Sequence, residues 1–330
     1  MYKKISLCLL LIAIFTSSLF AKDKMPDVIN FGFIPTESSS ALEKGFSPFM
    51  KDMEKYLGIP VKGFFASDYA GIIEGMRFKK VDLAWFGNKS AIEAIDRANG
   101  EVFAQTIKSN GSRGYYSHLI VHKDSQITLD DVLKCDQRYI FSNGDPNSTS
   151  GFVIPGYYVF AKNGIDPEKC FKKVTSSNHE GNLVAVATKR VDIATNNNES
   201  IERLEQTQPE LAKNIKVIWT SPLIPADPIV WRKDLPLELK EKIAYFFIQY
   251  GRYGDIEKIK REREVLENMG DSWGPFLASS NAQLIEVRKI EAFKNKLKAQ
   301  AKGDKKGVEE SEKIISKLNE LSKIYGNGGF

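Results

Sequence analysis

The chain has 330 residues, 42% of them hydrophobic, 27% charged and 11% aromatic, which excludes a disordered, collagenous or multi-span membrane protein. Its 47 Lys and Arg face 42 Asp and Glu, a net charge of +5, too slight an excess to be a nucleic-acid footprint. Three cysteines exclude a disulfide-built scaffold.

Residues 1–21 read MYKKISLCLLLIAIFTSSLFA. Lys3 and Lys4 precede an apolar run from Ile5 to Phe15, and small residues lead to Ala21. This is the pattern of a secretory signal peptide. The run is short for a membrane anchor, and Cys8 lies too early for a lipoprotein cleavage site. Export removes Cys8 and leaves Cys135 and Cys170. Two readings stay open for that pair: a disulfide, or two separate buried thiols.

In the mature chain, Val28–Ile34 is an apolar, β-branched run that predicts a strand. A polar turn, PTESSS, leads to a helix over Leu42–Leu57. Strands at Val61–Phe65 and Val81–Trp85 alternate with helices at Asp68–Lys79 and Ser90–Asn99. This alternation predicts an α/β unit with a largely parallel sheet. A long strand-like segment follows at Tyr115–His122, then the helix-like LDDVLKC. A second set comes next: strands at Tyr139–Ser142, Phe171–Thr175, Asp192–Thr195 and Lys216–Trp219, with helices from Thr149 and over Asn182–Lys189. The extended stretch SPLIPADPIVWRKDL leads back to helical sequence at Leu237–Tyr250.

The expected organisation is two α/β lobes joined by two crossings, near 115–122 and 221–232. Residues 22–116 and 230–290 form lobe 1, 117–229 lobe 2, and 291–330 a helical C-terminal tail. A crevice between such lobes, near the carboxyl ends of the strands, is a common ligand site. In the tail, a basic loop, KAQAKGDKKG, precedes Val308–Tyr325. Ile314, Ile315, Leu318, Leu321 and Ile324 fall there at helical spacing. That stripe packs on its own lobe or forms a dimer contact, so monomer and homodimer both stay open.

Asn143–Gly151 (NGDPNSTSG) follows a strand and opens a helix. Ser148, Thr149 and Ser150 sit where free N–H groups and the helix dipole point. Three hydroxyls there suit a tetrahedral oxyanion; the alternative is a plain N-cap. The glycine spacing is not that of a P-loop. His179 in SSNHEG is either a donor to that oxyanion or a surface imidazole. His118 and His122 share one side of a strand, without a third metal ligand nearby. Glu199, after TNNN, and Asp227, between Pro225 and Pro228, either hold a cation or cap backbone amides. Tyr69, Trp85, Phe86, Tyr115 and Tyr116 fall at strand ends or helix starts. Most aromatics are core, but a tyrosine hydroxyl also suits a pocket wall. Hydrolytic, zinc, cofactor and Cys–His motifs are absent.

Five stretches carry a family resemblance: FFASDYAGIIEGMRFKKVDLAWFGN, RANGEVFAQT, SNGDPNSTSGFVIPGYYVFAKN, VDIATNN and VIWTSPLIPADPIVWRK. From about Asn30 to about Asn281 the chain resembles the periplasmic phosphonate-binding proteins of bacterial ABC importers. The resemblance implies a type II periplasmic binding-protein fold, with an organophosphonate, best known as 2-aminoethylphosphonate, held between the lobes. It implies that Ser148, Thr149 and Ser150 hold the phosphonate oxygens, that Tyr69, Tyr115 and His179 add donors, and that Glu199 and Asp227 take the ammonium. It also implies a permease in the inner membrane as partner. Phe86 in WFGN stands where tyrosine is frequent, and Gly181 in HEGN where a bulkier residue is common. Competing expectations are a binder of phosphate, phosphite or plain alkylphosphonates, and a cleft enzyme acting on a phosphorus compound. Cys135 and Cys170 both precede predicted strands, at the end opposite the cleft, which weakens the reading as an enzyme with a cleft cysteine.

Overall fold

A computed structural model of the chain describes residues 25–269 and 272–325. The expected signal peptide, 1–21, lies outside the described residues. The strands of lobe 1 are β1 (Ile29–Phe33), β2 (Val61–Phe65), β3 (Leu83–Trp85), β4 (Gly100–Gln105), β12 (Pro228–Arg232) and β13 (Leu277–Ala278). Its helices are α1 (Ser39–Leu57), α2 (Tyr69–Arg77), α3 (Asn88–Arg97), α9 (Leu237–Gln249) and α10 (Ile256–Asn268). Lobe 2 has β6 (Ser117–His122), β7 (Ile140–Asn143), β8 (Lys173–Ser176), β9 (Ile193–Asn197) and β10 (Ile215–Thr220). Its helices are α4 (Leu129–Leu133), α5 (Pro167–Cys170), α6 (His179–Ala187), α7 (Asn198–Thr207) and α8 (Pro209–Ala212).

The expectation of largely parallel sheets is corrected to two mixed ones. Lobe 1 has the strand order β13-β4-β12-β3-β1-β2, and lobe 2 the order β10-β6-β9-β7-β8. In lobe 1, β2, β1 and β3 run parallel, but β12 is antiparallel to β3 and β4. In lobe 2, β9, β7 and β8 run parallel, but β6 is antiparallel to β9 and β10 to β6. β6 and β12 are the strands on which the chain enters a lobe from the other one. Each therefore arrives from the hinge end, against the direction set by the local strand–helix units. The sequence reading also lacked β4, which lies beside β12 within the lobe 1 sheet.

Lobe 1 is stabilised by an aromatic core. Phe46 and Phe49 of α1 pack with Phe33, Trp85, Phe247 and Phe276. α1 buries Leu42, Phe46, Phe49 and Met53 on one face and ends on Gly58 at φ 67°, a left-handed cap that suits glycine. Lobe 2 has a smaller core around Leu119, Phe141, Phe160, Phe171 and Ile193. A disulfide joins Cys135 to Cys170.

Between the lobes, β5 (Gly114–Tyr115) and β11 (Ile224–Pro225) form a two-stranded antiparallel ribbon that carries both crossings. A side chain on Gly114 would collide with the carbonyl oxygen of Ile224. Glycine is what lets the two crossing segments lie this close.

The C-terminal region is two helices, α11 (Ile285–Lys302) and α12 (Lys305–Tyr325). α11 runs unbroken through residue 291, where a lobe boundary was expected. The expected basic loop is mostly helix, with the break at Gly303, φ 69°. α12 buries Ser311, Ile315 and Leu318 and leaves Ile314 and Ile324 exposed. α11 also touches both lobes. Arg288 grips Asp96 of α3 with two bonds of 2.6 and 2.7 Å, and Glu291 pairs with Lys89 of α3 at 2.7 Å. On the lobe 2 side, Ile290 packs against the cluster of Tyr115, Ile154 and Ile224, and the Lys294 ammonium lies 5.2 Å from the centre of the Phe152 ring.

Candidate functional site

The pocket forms where helices of both lobes begin. In lobe 1, Asp68 caps α2, accepting from the Gly71 N–H, and puts Tyr69 at the first helical position. Gly87 precedes α3. In lobe 2, Ser148 caps a helical run over 149–163 with wide π-type turns over Thr149–Val153 and Gly156–Phe160. Asn178 caps α6 in front of His179, and Asn197 caps α7 in front of Glu199. Helix starts present free N–H groups and a positive dipole end. The loop before Ser148 is folded tightly, since the Gly144 N–H donates to the Gly151 carbonyl at 3.0 Å and a Cβ on Gly144 would strike the Gly151 backbone.

The eight residues that the resemblance assigns to the ligand all line this one pocket: Tyr69, Tyr115, Ser148, Thr149, Ser150, His179, Glu199 and Asp227. The space between its walls, mouth included, is about 380 Å³. The N-cap reading of Ser148 does not exclude a place in the pocket. The Ser148 hydroxyl caps the helix, accepting from the Gly151 N–H at 3.0 Å, and also faces the pocket. His179 is only 4% exposed, so it is no surface imidazole. Its Nε2 lies 3.4 Å from the Ser148 hydroxyl and 3.5 Å from that of Ser150. Asn197 donates to the Ser150 hydroxyl at 3.2 Å.

At the carboxylate end, Asp227 is held from two sides. Its Oδ1 accepts from the Tyr115 hydroxyl at 3.1 Å and its Oδ2 from the Trp85 indole N–H at 3.2 Å. Tyr115, expected as a donor to the oxyanion, here donates to Asp227 and also lies beside the Thr149 hydroxyl. Burial, then the charges of Asp227 and Asp145, raise the Tyr69 phenol far above its ordinary pKa. Burial, then Asp227 and Glu199, do the same to Tyr115. Both stay O–H donors at any physiological pH. Glu199 sits in the first turn of α7, a helix that the sequence reading did not contain.

That omission also hid Arg203, which lines the pocket one turn beyond Glu199 with Ser200 between them. Glu37, in the polar turn after β1, lines it from lobe 1. Trp85 was read only as a strand-end aromatic. Phe86 is fully buried in the lobe 1 core, and its N–H donates to the Pro228 carbonyl. His118 Nδ1 lies 3.1 Å from the Thr220 hydroxyl, outside the pocket lining.

The lobes are closed on the pocket by polar contacts across it. The Lys89 N–H donates to the Thr149 hydroxyl at 2.9 Å, and the Tyr69 N–H to Asp145 at 3.3 Å. The Ser38 N–H donates to the Glu180 carboxylate at 2.9 Å, and the Glu180 N–H to the Thr36 carbonyl at 3.2 Å. Two ion pairs from neighbouring positions of α7 reach lobe 1: Arg203 to Glu37, and Glu202 to Lys108.

Two α/β lobes, a hinge ribbon and a polar pocket closed between helix starts define a type II periplasmic solute-binding protein. Comparison with known proteins narrows the class. The profile described as "ABC transporter, phosphonate, periplasmic substrate-binding protein" matches residues 31–284. The chain is 52% identical to the phosphonates-binding periplasmic protein of Escherichia coli K12, over 88% of this chain and 83% of that one. It is similar to a solved binding-protein component of an ABC phosphonate transporter from Pseudomonas aeruginosa. That likeness has a TM-score of 0.86 and 48% identity, and covers 91% of this chain and 99% of the other. A weaker relative is the probable ABC transporter phosphite binding protein of Prochlorococcus marinus MIT 9301, 28% identical over 64% of this chain and 71% of that one. The chain belongs to the periplasmic phosphonate-binding family of ABC transporters. It is a binding protein and not an enzyme, and membership of an ABC transporter implies a permease as partner.

Proposed function

We propose that the cargo is 2-aminoethylphosphonate. The observation that supports this most is the make-up of the lining: the hydroxyls of Ser148, Thr149, Ser150 and Tyr69 and the imidazole of His179 share one pocket with the carboxylates of Glu199 and Asp227. The phosphonate sits at the start of the 149–163 helical run, against the hydroxyls of Ser148, Thr149 and Ser150, with Tyr69 and His179 as further donors. Charge-assisted hydrogen bonds from neutral groups hold the anion. The ammonium sits between Glu199 and Asp227. Two carboxylates brought together on closure repel each other and lose hydration, and a ligand cation relieves both costs. Tyr115 and Trp85 hold Asp227 in place for that contact.

Phosphate, phosphite and methylphosphonate would fill the oxyanion end alone and leave the carboxylates unpaired. A pocket built to pair a polar group rejects analogues that lack it. Calorimetry with these ligands, ethylphosphonate and 2-aminoethylphosphonate tests the reading. The amino ligand is expected to bind at least ~100-fold more tightly than ethylphosphonate. Equal affinity for the two would overturn the assignment and return the carboxylates to a purely structural role.

A further inference from the structure

We propose that Glu37 is a specificity-determining residue: it holds Arg203 across the closed cleft, and so lets Glu199 act on the ligand ammonium. The proposal rests on the 2-aminoethylphosphonate reading above. Among the described residues lining the pocket, Arg203 is the one Lys or Arg. It sits four residues after Glu199 on α7, so the two side chains are neighbours on one helix face, in the orientation that favours a Glu–Arg pair. A guanidinium there competes with a ligand cation for the Glu199 carboxylate and repels that cation directly.

Glu37 supplies a counter-charge from the other lobe. The Arg203–Glu37 pair is largely buried, the side chains being 17% and 13% exposed, so solvent screens it little. Glu37 is placed for this by its neighbours. The Ser38 N–H and the Thr36 carbonyl are both bonded to Glu180 at the start of α6, which pins the turn 36–38 against lobe 2. The pair spans the lobes, so closure itself brings the counter-charge to Arg203. The field at the ammonium position then becomes more negative as the cleft shuts. The device discriminates by ligand charge, which a simple latch does not.

The test is calorimetry on Glu37→Gln and on the double variant Glu37→Gln/Arg203→Gln, each with 2-aminoethylphosphonate and ethylphosphonate, with thermal melting to confirm folding. Glu37→Gln keeps the shape and removes the charge. The amino ligand is expected to lose about tenfold in affinity while ethylphosphonate changes by less than about threefold. Removing the guanidinium as well should restore most of the preference for the amine. Equal losses for both ligands would make the pair a closure latch only and overturn the proposal. Unchanged affinities in Glu37→Gln, with the wild-type preference intact, would overturn it and leave the cargo assignment standing. A wild-type protein without any preference for the amine would instead remove the cargo assignment, and this proposal with it.

Discussion

Lys89 and Thr149 stand on different lobes and share one hydrogen bond, from the Lys89 backbone N–H to the Thr149 hydroxyl oxygen, 2.9 Å. A hydroxyl that accepts at its oxygen still has a proton to give. The bond thus ties α3 of lobe 1 to the first turn of the helical run in lobe 2, and leaves the Thr149 proton for a pocket oxyanion. On the proposed phosphonate placement, closure and ligand contact would meet at one oxygen atom.

Thr149→Ala is therefore expected to weaken the phosphonate by roughly ten- to a hundredfold, the cost of one hydrogen bond to a charged group. Ser148→Ala should fall in the same range, with a further loss from the missing helix cap. Calorimetry on folded variants checks both. Wild-type affinity in the two together would remove this helix start from the anion site.

Asp227→Asn keeps the size and removes the charge; its one amide oxygen can still accept from the Trp85 N–H, while its NH2 would face the Tyr115 hydroxyl as a donor. The gap between 2-aminoethylphosphonate and ethylphosphonate should narrow by about tenfold, through weaker binding of the amino ligand alone. A parallel loss for both ligands would show that Asp227 only braces the hinge side of the pocket.

The disulfide between Cys135 and Cys170 spans a sequence separation of 35 residues. Closing a loop of that size stabilises a fold by about 3–4 kcal/mol on the chain-entropy account. The double variant Cys135→Ser/Cys170→Ser should lose a comparable amount in denaturant unfolding while still binding ligand, because both residues lie outside the pocket lining.

Lys294 gives a pH signature. Burial lowers its pKa from the ordinary lysine value to about 8, although Glu291 pulls it upward. Between pH 8 and the ordinary lysine value the unfolded chain holds this proton and the folded one does not. Stability should therefore rise with pH across that window, relative to a variant without the group. Lys294→Met should flatten the rise and stabilise the fold near pH 7, by on the order of 1–3 kcal/mol, as replacement of a buried charge by an apolar side chain does. Urea unfolding of both proteins at pH 7 and pH 10 measures it.

The helix start at Ser148, Thr149 and Ser150, where the anion is proposed to sit, was legible because the residues are contiguous: they follow a strand and start a helix, and the order itself carries the geometry. Asp227 and Glu199 were legible as residues but not as neighbours of Trp85 or Arg203, since those contacts bridge 142 positions in one case and need an unforeseen helix in the other. α7 reads NESIERLEQT and buries only Leu204, so it lacks the apolar stripe that marks a helix. β4, GEVFAQ, opens with glycine and a charge, and pairing with β12 makes it a strand where local propensity does not. Strand direction was beyond reach for a similar reason. It depends on which lobe the chain comes from, and no local signal records that.

α11 adds a third link between the lobes, beyond the two strands of the hinge ribbon. Arg288 and Glu291 moor it to α3, while Ile290 rests on the cluster of Tyr115, Ile154 and Ile224 and Lys294 on Phe152. The moorings on α3 are ion pairs; the seat on lobe 2 is apolar and cation–π. A rotation that opens the cleft must shear the second kind of contact and can spare the first, because apolar surfaces slide where ion pairs must break. The C-terminal helices should then travel with lobe 1, and the seam that yields is the one beneath Phe152 and Ile154. The lip of the cleft and the back of the hinge thus become two ends of one lever.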